Sequence, residues 1–209
     1  MNQRLSYSKG PIEPPLLEYT IGEALELAAA HWPANLALAS LHQKIRWSWA
    51  DLEGEVNRIA TGLLALGVRK GDRVGIWAPN CAEWTVIQFA TAKIGAILET
   101  INPAYRVSEV EYALNKVGCS VLVTAPRFKT SDYIAMLREL GSEKLPHVRI
   151  MISLGPEQIE GFLRWGDLGI SPDRTALTAI ASTLDCNDAI NIQFTSGTTG
   201  FPKGATLTH

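Results

Sequence analysis

Arg73 to Ile101 reads RVGIWAPNCAEWTVIQFATAKIGAILETI. The run RVGIWA at 73–78 is almost wholly apolar and predicts a buried strand. Pro79-Asn80 breaks it, 82–95 has the length and content of a helix, and 96–101 predicts a second strand, ended by Asn102-Pro103. Strands with few alternating polar residues, separated by helices, are covered on both faces, which is the habit of parallel sheets. The rhythm continues downstream. Ser108-Glu109-Val110-Glu111 has capping-box spacing and opens a helix ending at Gly118. SVLVT at 120–124 predicts a strand, 131–140 a helix and VRIMISL at 148–154 a strand. Upstream, Thr20-Ile21-Gly22-Glu23 opens a helix to about Ala30, ended by His31-Trp32-Pro33. Ile45 to Trp49 is a short strand or turn. From Ser48-Trp49-Ala50-Asp51, apolar residues at Leu52, Val56, Ile59, Ala60, Leu63 and Leu64 recur at helical spacing to Leu66, with Gly67 as the C′ residue.

Residues 155–170 read as an irregular connection. Ser171-Pro172 fits an N-cap with proline at N1, opening a short helix to about Ala181. Ala189 to Phe194 alternates, with Ile190, Ile192 and Phe194 on one side, and Gly204 to Leu207 is its returning partner. The fold class is therefore α/β, doubly wound or nearly so: a largely parallel sheet flanked by helices, ending in a hairpin. Residues 1–18, rich in proline and polar groups, predict an extended arm, and 19–209 one folded unit.

Composition excludes several classes. The 209 residues carry 19 basic and 21 acidic side chains, a formal net charge of −2, so no basic excess points to nucleic acid or an anionic membrane. The longest apolar stretch, Trp84 to Ile101, is interrupted by Gln88, Lys93 and Glu99, which argues against a transmembrane segment. The N-terminus has no signal-peptide core. Cys81, Cys119 and Cys186 lie far apart, with no metal spacing and no CxxC, and predict reduced thiols in a cytoplasmic protein.

Inside the hairpin lies Thr195-Ser196-Gly197-Thr198-Thr199-Gly200-Phe201-Pro202-Lys203-Gly204. Glycines allow close backbone approach to a ligand, hydroxyls and free N–H groups donate, and the lysine adds a positive charge; that set suits a nucleotide polyphosphate. It is not a Walker A loop, which needs glycine directly before the lysine and Ser or Thr directly after it; here Pro202 precedes Lys203 and Gly204 follows. A plain polar hairpin explains the glycines but not the hydroxyls clustered with a lysine.

FTSGTTGFPKGATLTH resembles the signature of the adenylate-forming superfamily: acyl-CoA synthetases, peptide-synthetase adenylation domains and luciferases. Gly71-Asp72-Arg73-Val74, Asn102-Pro103-Ala104-Tyr105 and Glu109-Val110-Glu111-Tyr112 extend the likeness, which runs from about Leu16 onward and is nearest to the medium-chain fatty acyl-CoA ligases. Glu99-Thr100 departs from the smaller, more apolar pair found there. The resemblance implies ATP and CoA as co-substrates, Mg2+ with ligands mostly outside this chain, and a fatty acid or other carboxylate as substrate. It places Thr195, Ser196, Gly197, Thr198, Thr199, Gly200 and Lys203 on the β- and γ-phosphates. No catalytic base or nucleophile and no metal ligand is assigned, because the substrate carboxylate is itself the nucleophile.

The resemblance also implies parts not found in the 209 residues: a second subdomain with an aromatic-Gly-x-Thr-Glu motif, a ribose-binding aspartate, and a small domain with a catalytic lysine. The expectation is the N-terminal portion of a longer ligase, marginally stable and inactive alone, with the C-terminal remainder as its partner. Two other readings stand beside it: a different adenylate-forming ligase, coumarate-type or amino-acid-activating, and a non-catalytic nucleotide-binding or docking fragment. Tyr105 and Tyr112 are expected to be half-buried aromatics with bonded hydroxyls.

Overall fold

Thr20 opens α1 (Ile21–His31) through the capping box its spacing predicts. The Thr20 hydroxyl accepts from the Glu23 N–H at 3.2 Å, and the Glu23 carboxylate accepts from the Thr20 N–H at 2.7 Å. These bonds satisfy amides that no helical turn can reach. Between α1 and the next helix, β1 (Leu36–Ser40) pairs antiparallel with β2 (Ile45–Ser48). β1 carries no strand signal: LALAS is alanine- and leucine-rich, a composition that favours helix, and its pairing with β2 overrides that preference. Ser48 and Asp51 repeat the capping box at α2 (Trp49–Ala65), and Gly67 follows with φ 84°. The computed structural model describes residues 10, 11, 13–15, 17–169, 171–195 and 202–209.

The rest of the chain builds the main sheet. In order come β3 (Arg73–Trp77), α3 (Ala82–Lys93), β4 (Ile97–Thr100), α4 (Val107–Val117), β5 (Val121–Thr124), a minimal hairpin of β6 (Arg127–Phe128) and β7 (Ser131–Asp132), and α5 (Tyr133–Lys144). Then follow β8 (Ile150–Ser153), β9 (Leu163–Arg164), α6 (Arg174–Ala181), β10 (Ala189–Thr195) and β11 (Lys203–Thr208). The strand order is β11-β10-β4-β3-β5-β8-β9, and β10 with β11 is the antiparallel pair of an otherwise parallel sheet. From β3 the chain steps one way to β4, then returns past β3 to β5. Right-handed crossovers in opposite directions place their helices on opposite faces. α3 accordingly packs with α1, α2 and α6, and α4 packs with α5.

Three local expectations change. α4 begins at Val107 with Arg106 as its N-cap, not at Ser108, because the Glu109 carboxylate accepts from the Arg106 N–H at 2.7 Å. α6 is capped by Asp173 rather than Ser171: Thr61 Oγ1 accepts from the Asp173 N–H at 3.0 Å and holds that residue outside the helix, while Asp173 Oδ1 accepts from the Ala176 N–H. The stretch 155–170 is not wholly irregular; it contributes β9 to the sheet edge and a 3-10 turn at Trp165–Asp167. At the far end, His209 Nδ1 accepts from the Ile21 N–H at 2.9 Å, so the imidazole sits at the start of α1.

The two charges that interrupt the apolar stretch around α3 are both buried. Lys93 is 3% exposed, and its ammonium lies 2.5 Å from the Glu26 carboxylate. Glu99 is 0% exposed, in register with Gly75 on β3 and Ile192 on β10, and neither carboxyl oxygen has a hydrogen-bond partner among the described residues. The neighbouring Cys119 thiol donates to the Val121 carbonyl instead. Gly75 makes room for this arrangement, since a Cβ there would stand 3.0 Å from Cys119 Sγ. Burial pushes the Glu99 carboxyl up to about 8, with Cys119 opposing only in part.

This has a defined consequence for stability. In the unfolded chain Glu99 titrates near 4.5; in the folded protein it holds its proton to about 8. Between those values the folded state binds the extra proton, so its contribution to stability is complete below about 4.5, declines as pH rises, and is gone above about 8. Urea denaturation at pH 5, 7 and 9 is expected to show stability falling by up to ~1.4 kcal/mol per pH unit from this group. Glu99→Gln cannot ionise and should flatten the profile by that amount; an unchanged slope in the variant would show that Glu99 releases its proton at the same pH in the folded and unfolded chain.

Candidate functional site

In an open parallel sheet, ligands gather at the carboxyl ends of the strands, where the winding direction reverses. Here that point lies between the β3–α3 and β4–α4 connections. A cleft of about 240 Å³ occupies it, lined by Asn80, Asn102, Pro103 and Tyr105 from those connections, by Trp84 of α3, and by Gln193 and Phe194 of β10. A larger hollow of about 570 Å³, lined by Arg127, Arg138 and Glu157 among others, involves no residue of β4, β10 or β11.

The floor of the cleft is held from beneath. Trp77 and Tyr133, both 0% exposed, stack with ring centroids 3.7 Å apart and planes 13° from parallel. Trp77 Nε1–H donates to the Asn102 carbonyl at 3.2 Å, and the Tyr133 hydroxyl donates to the Pro103 carbonyl at 2.6 Å. Asn102 Oδ1 accepts from the Ala104 N–H, closing an Asx-type turn. Burial pushes the Tyr133 phenol up to about 12, which keeps it a donor. Burial, then the Glu109 and Glu99 carboxylates, raise Tyr105, so the neutral phenol faces the cleft.

The stems of the glycine-threonine segment stand at the same end of the sheet. Thr195 ends β10 and pairs with Lys203 at the start of β11; both are exposed, and the Thr195 hydroxyl lies 3.4 Å from the Lys203 carbonyl. Ser196, Gly197, Thr198, Thr199 and Gly200 lie outside the described residues. α4 reaches both stems through one side chain. The Tyr112 hydroxyl donates to the Pro202 carbonyl at 3.1 Å, and its ring meets Phe194 edge-on, with centroids 6.3 Å apart. Tyr112 is thus half-buried with a bonded hydroxyl, as expected. The sequence singled out Thr195 and Lys203 but not Asn80, Trp84 or Gln193, whose place in the cleft depends on strand order rather than on any local pattern.

Comparisons with known proteins agree with this fold. The family model described as AMP-binding enzyme matches residues 25–209. The chain is 43% identical to the medium-chain acyl-CoA ligase ACSF2, mitochondrial, of Mus musculus and 41% identical to that of Danio rerio, over 98% of its length in both cases. It spans only 36% of the length of these relatives. Among solved structures, acetoacetyl-CoA synthetase from Streptomyces lividans superposes with a TM-score of 0.75 at 28% identity, covering 91% of this chain and 30% of that one. The phosphate-type segment, the largely parallel sheet and the match over residues 25–209 lead to one conclusion: the chain belongs to the AMP-binding enzyme family.

Proposed function

We propose that this chain supplies the ATP-phosphate grip and one wall of the substrate cleft of an AMP-forming acyl-CoA ligase. The observation that carries the reading is the convergence of Thr195 and Lys203 with the cleft at the reversal point of the sheet. In the reaction, a carboxylate oxygen attacks the α-phosphorus of ATP, and the bond from that phosphorus to the bridging oxygen breaks as pyrophosphate leaves. A thiolate of CoA then attacks the acyl carbon and expels AMP. The first step develops charge on the leaving phosphates, so donors already aimed at them accelerate it. Thr195, Ser196, Gly197, Thr198, Thr199 and Gly200 would provide hydroxyls and amides, and Lys203 the positive charge. Mg2+ would be held mostly by groups outside this chain, and no step is assigned to it here.

A medium-chain fatty acid is the proposed substrate, on the strength of the 43% identity to a ligase so named. The C-terminal remainder of such a ligase is the proposed partner; the chain spans 36% of that relative's length. The second reading is a nucleotide-binding piece without chemistry of its own. Among the described residues no helix is long and apolar enough to cross a membrane. The cytoplasm is the proposed compartment, from three dispersed free cysteines, although the ACSF2 relatives are named mitochondrial.

Titration calorimetry of ATP into the chain tests the phosphate grip. Lys203→Met is expected to weaken binding by about tenfold to a hundredfold, the size of a charge-assisted contact; equal affinity in the variant would remove Lys203 from the site. In a separate assay, the purified chain with ATP, CoA and octanoate is expected to yield no acyl-CoA. Product above the protein-free blank would show that it needs no partner.

A further inference from the structure

We propose that Tyr112 is a positioning residue, bracing both stems of the phosphate segment against α4; the proposal rests on the reading of that segment as an ATP grip. The hairpin carrying the segment is thinly supported. β11 is exposed along its whole length and, among the described residues, has β10 as its one strand partner at the end of the sheet. Thr195 and Lys203 face each other at the tip as ladder partners, and the Thr195 hydroxyl adds only a long 3.4 Å contact to the Lys203 carbonyl. Two other side-chain hydrogen bonds tie the hairpin to the body among the described residues. Thr100 Oγ1 donates to the Ile192 carbonyl at 3.5 Å, mid-strand, and His209 meets Ile21 at the opposite end. Neither reaches the tip.

Tyr112 does. Its hydroxyl holds Pro202, the residue directly before β11, and its ring edge meets Phe194, one residue before the end of β10. The Phe194 ring in turn lies over Gly204, where a Cβ would come within 3.7 Å of the ring and 3.0 Å of Ile192 Cγ2. A glycine at 204 therefore lets the two strands close under the aromatic pair. The platform itself is firm. α4 buries Val110, Ala113 and Leu114 completely, and its first turn is closed by Glu109. Phosphate donors act only when held to within a fraction of an ångström, so a brace at both stems sets where the donors start from. Neither contact touches a reacting atom; the effect of Tyr112 passes through Phe194 and Pro202.

The test combines hydrogen exchange with ATP titration on the full chain, using Tyr112→Phe, Phe194→Leu, and Lys116→Gln as an exposed control on the same helix. Exchange is compared between residues 203–208 and residues 121–124, the latter reporting global opening. With a hydrogen bond worth about a kcal/mol, Tyr112→Phe is expected to speed exchange at 203–208 about fivefold relative to 121–124. It should weaken ATP binding by a similar factor, with Phe194→Leu moving both in the same direction and Lys116→Gln moving neither. Equal acceleration in both regions, or none, overturns the brace. If the unaltered chain binds no ATP, the phosphate reading fails, while the exchange ratio still decides whether Tyr112 holds the stems.

Discussion

The stack of Trp77 on Tyr133 is the contact on which the site end of the molecule rests. Each ring is fully buried, and each has one polar group to satisfy. Both satisfy it on the same turn, Trp77 on the Asn102 carbonyl and Tyr133 on the Pro103 carbonyl. β3, the exit of β4 and the first turn of α5 are thereby locked together. Without these bonds, the buried Trp77 and Tyr133 donors would need other partners, at a cost of ~1–3 kcal/mol for each left unpaired. The cleft above inherits its shape from that lock, because Asn102, Pro103 and Tyr105 form part of its lining.

The hairpin side of the cleft is built differently. There the backbone ladder between β10 and β11 runs in steady register from Asn191 to Thr195 after a shift between Ala189 and Asn191, but every residue of its outer strand is exposed. Rigidity must come from the inner side, through β4 and α4. One side of the site is thus held by a buried aromatic core, and the other by a few contacts from a single helix.

How much of this could be read in the sequence follows from how local each cause is. The caps at Thr20 and Ser48, the parallel strands and the hairpin were legible because each rests on residues within a few positions of one another. The caps of α4 and α6 were misplaced by two residues because Glu109 and Thr61 accept from one of several backbone N–H groups at each helix start. β1 and β9 were missed because short strands declare themselves only through their partners. The glycine-threonine segment stood out in the sequence because glycines, hydroxyls and a lysine are clustered within ten residues. The lining of the cleft was not, because it joins residues 80, 102 and 193 through strand order. The bond from Tyr112 to Pro202 spans 90 positions, and no local pattern announces it.

Glu99 has a further meaning in the order of synthesis. β4 is complete by residue 100, but its outer neighbour β10 is made only at 189–195. While those ninety residues are being added, β4 is an open edge, and bare apolar edges recruit other nascent chains. A Glu99 that water still reaches is ionised and keeps such an edge from pairing with a stranger, in the way charged gatekeepers do. When β10 arrives and seals the position, the same group takes up a proton and the repulsion disappears. A residue that weakens the finished sheet at high pH thus protects the unfinished one.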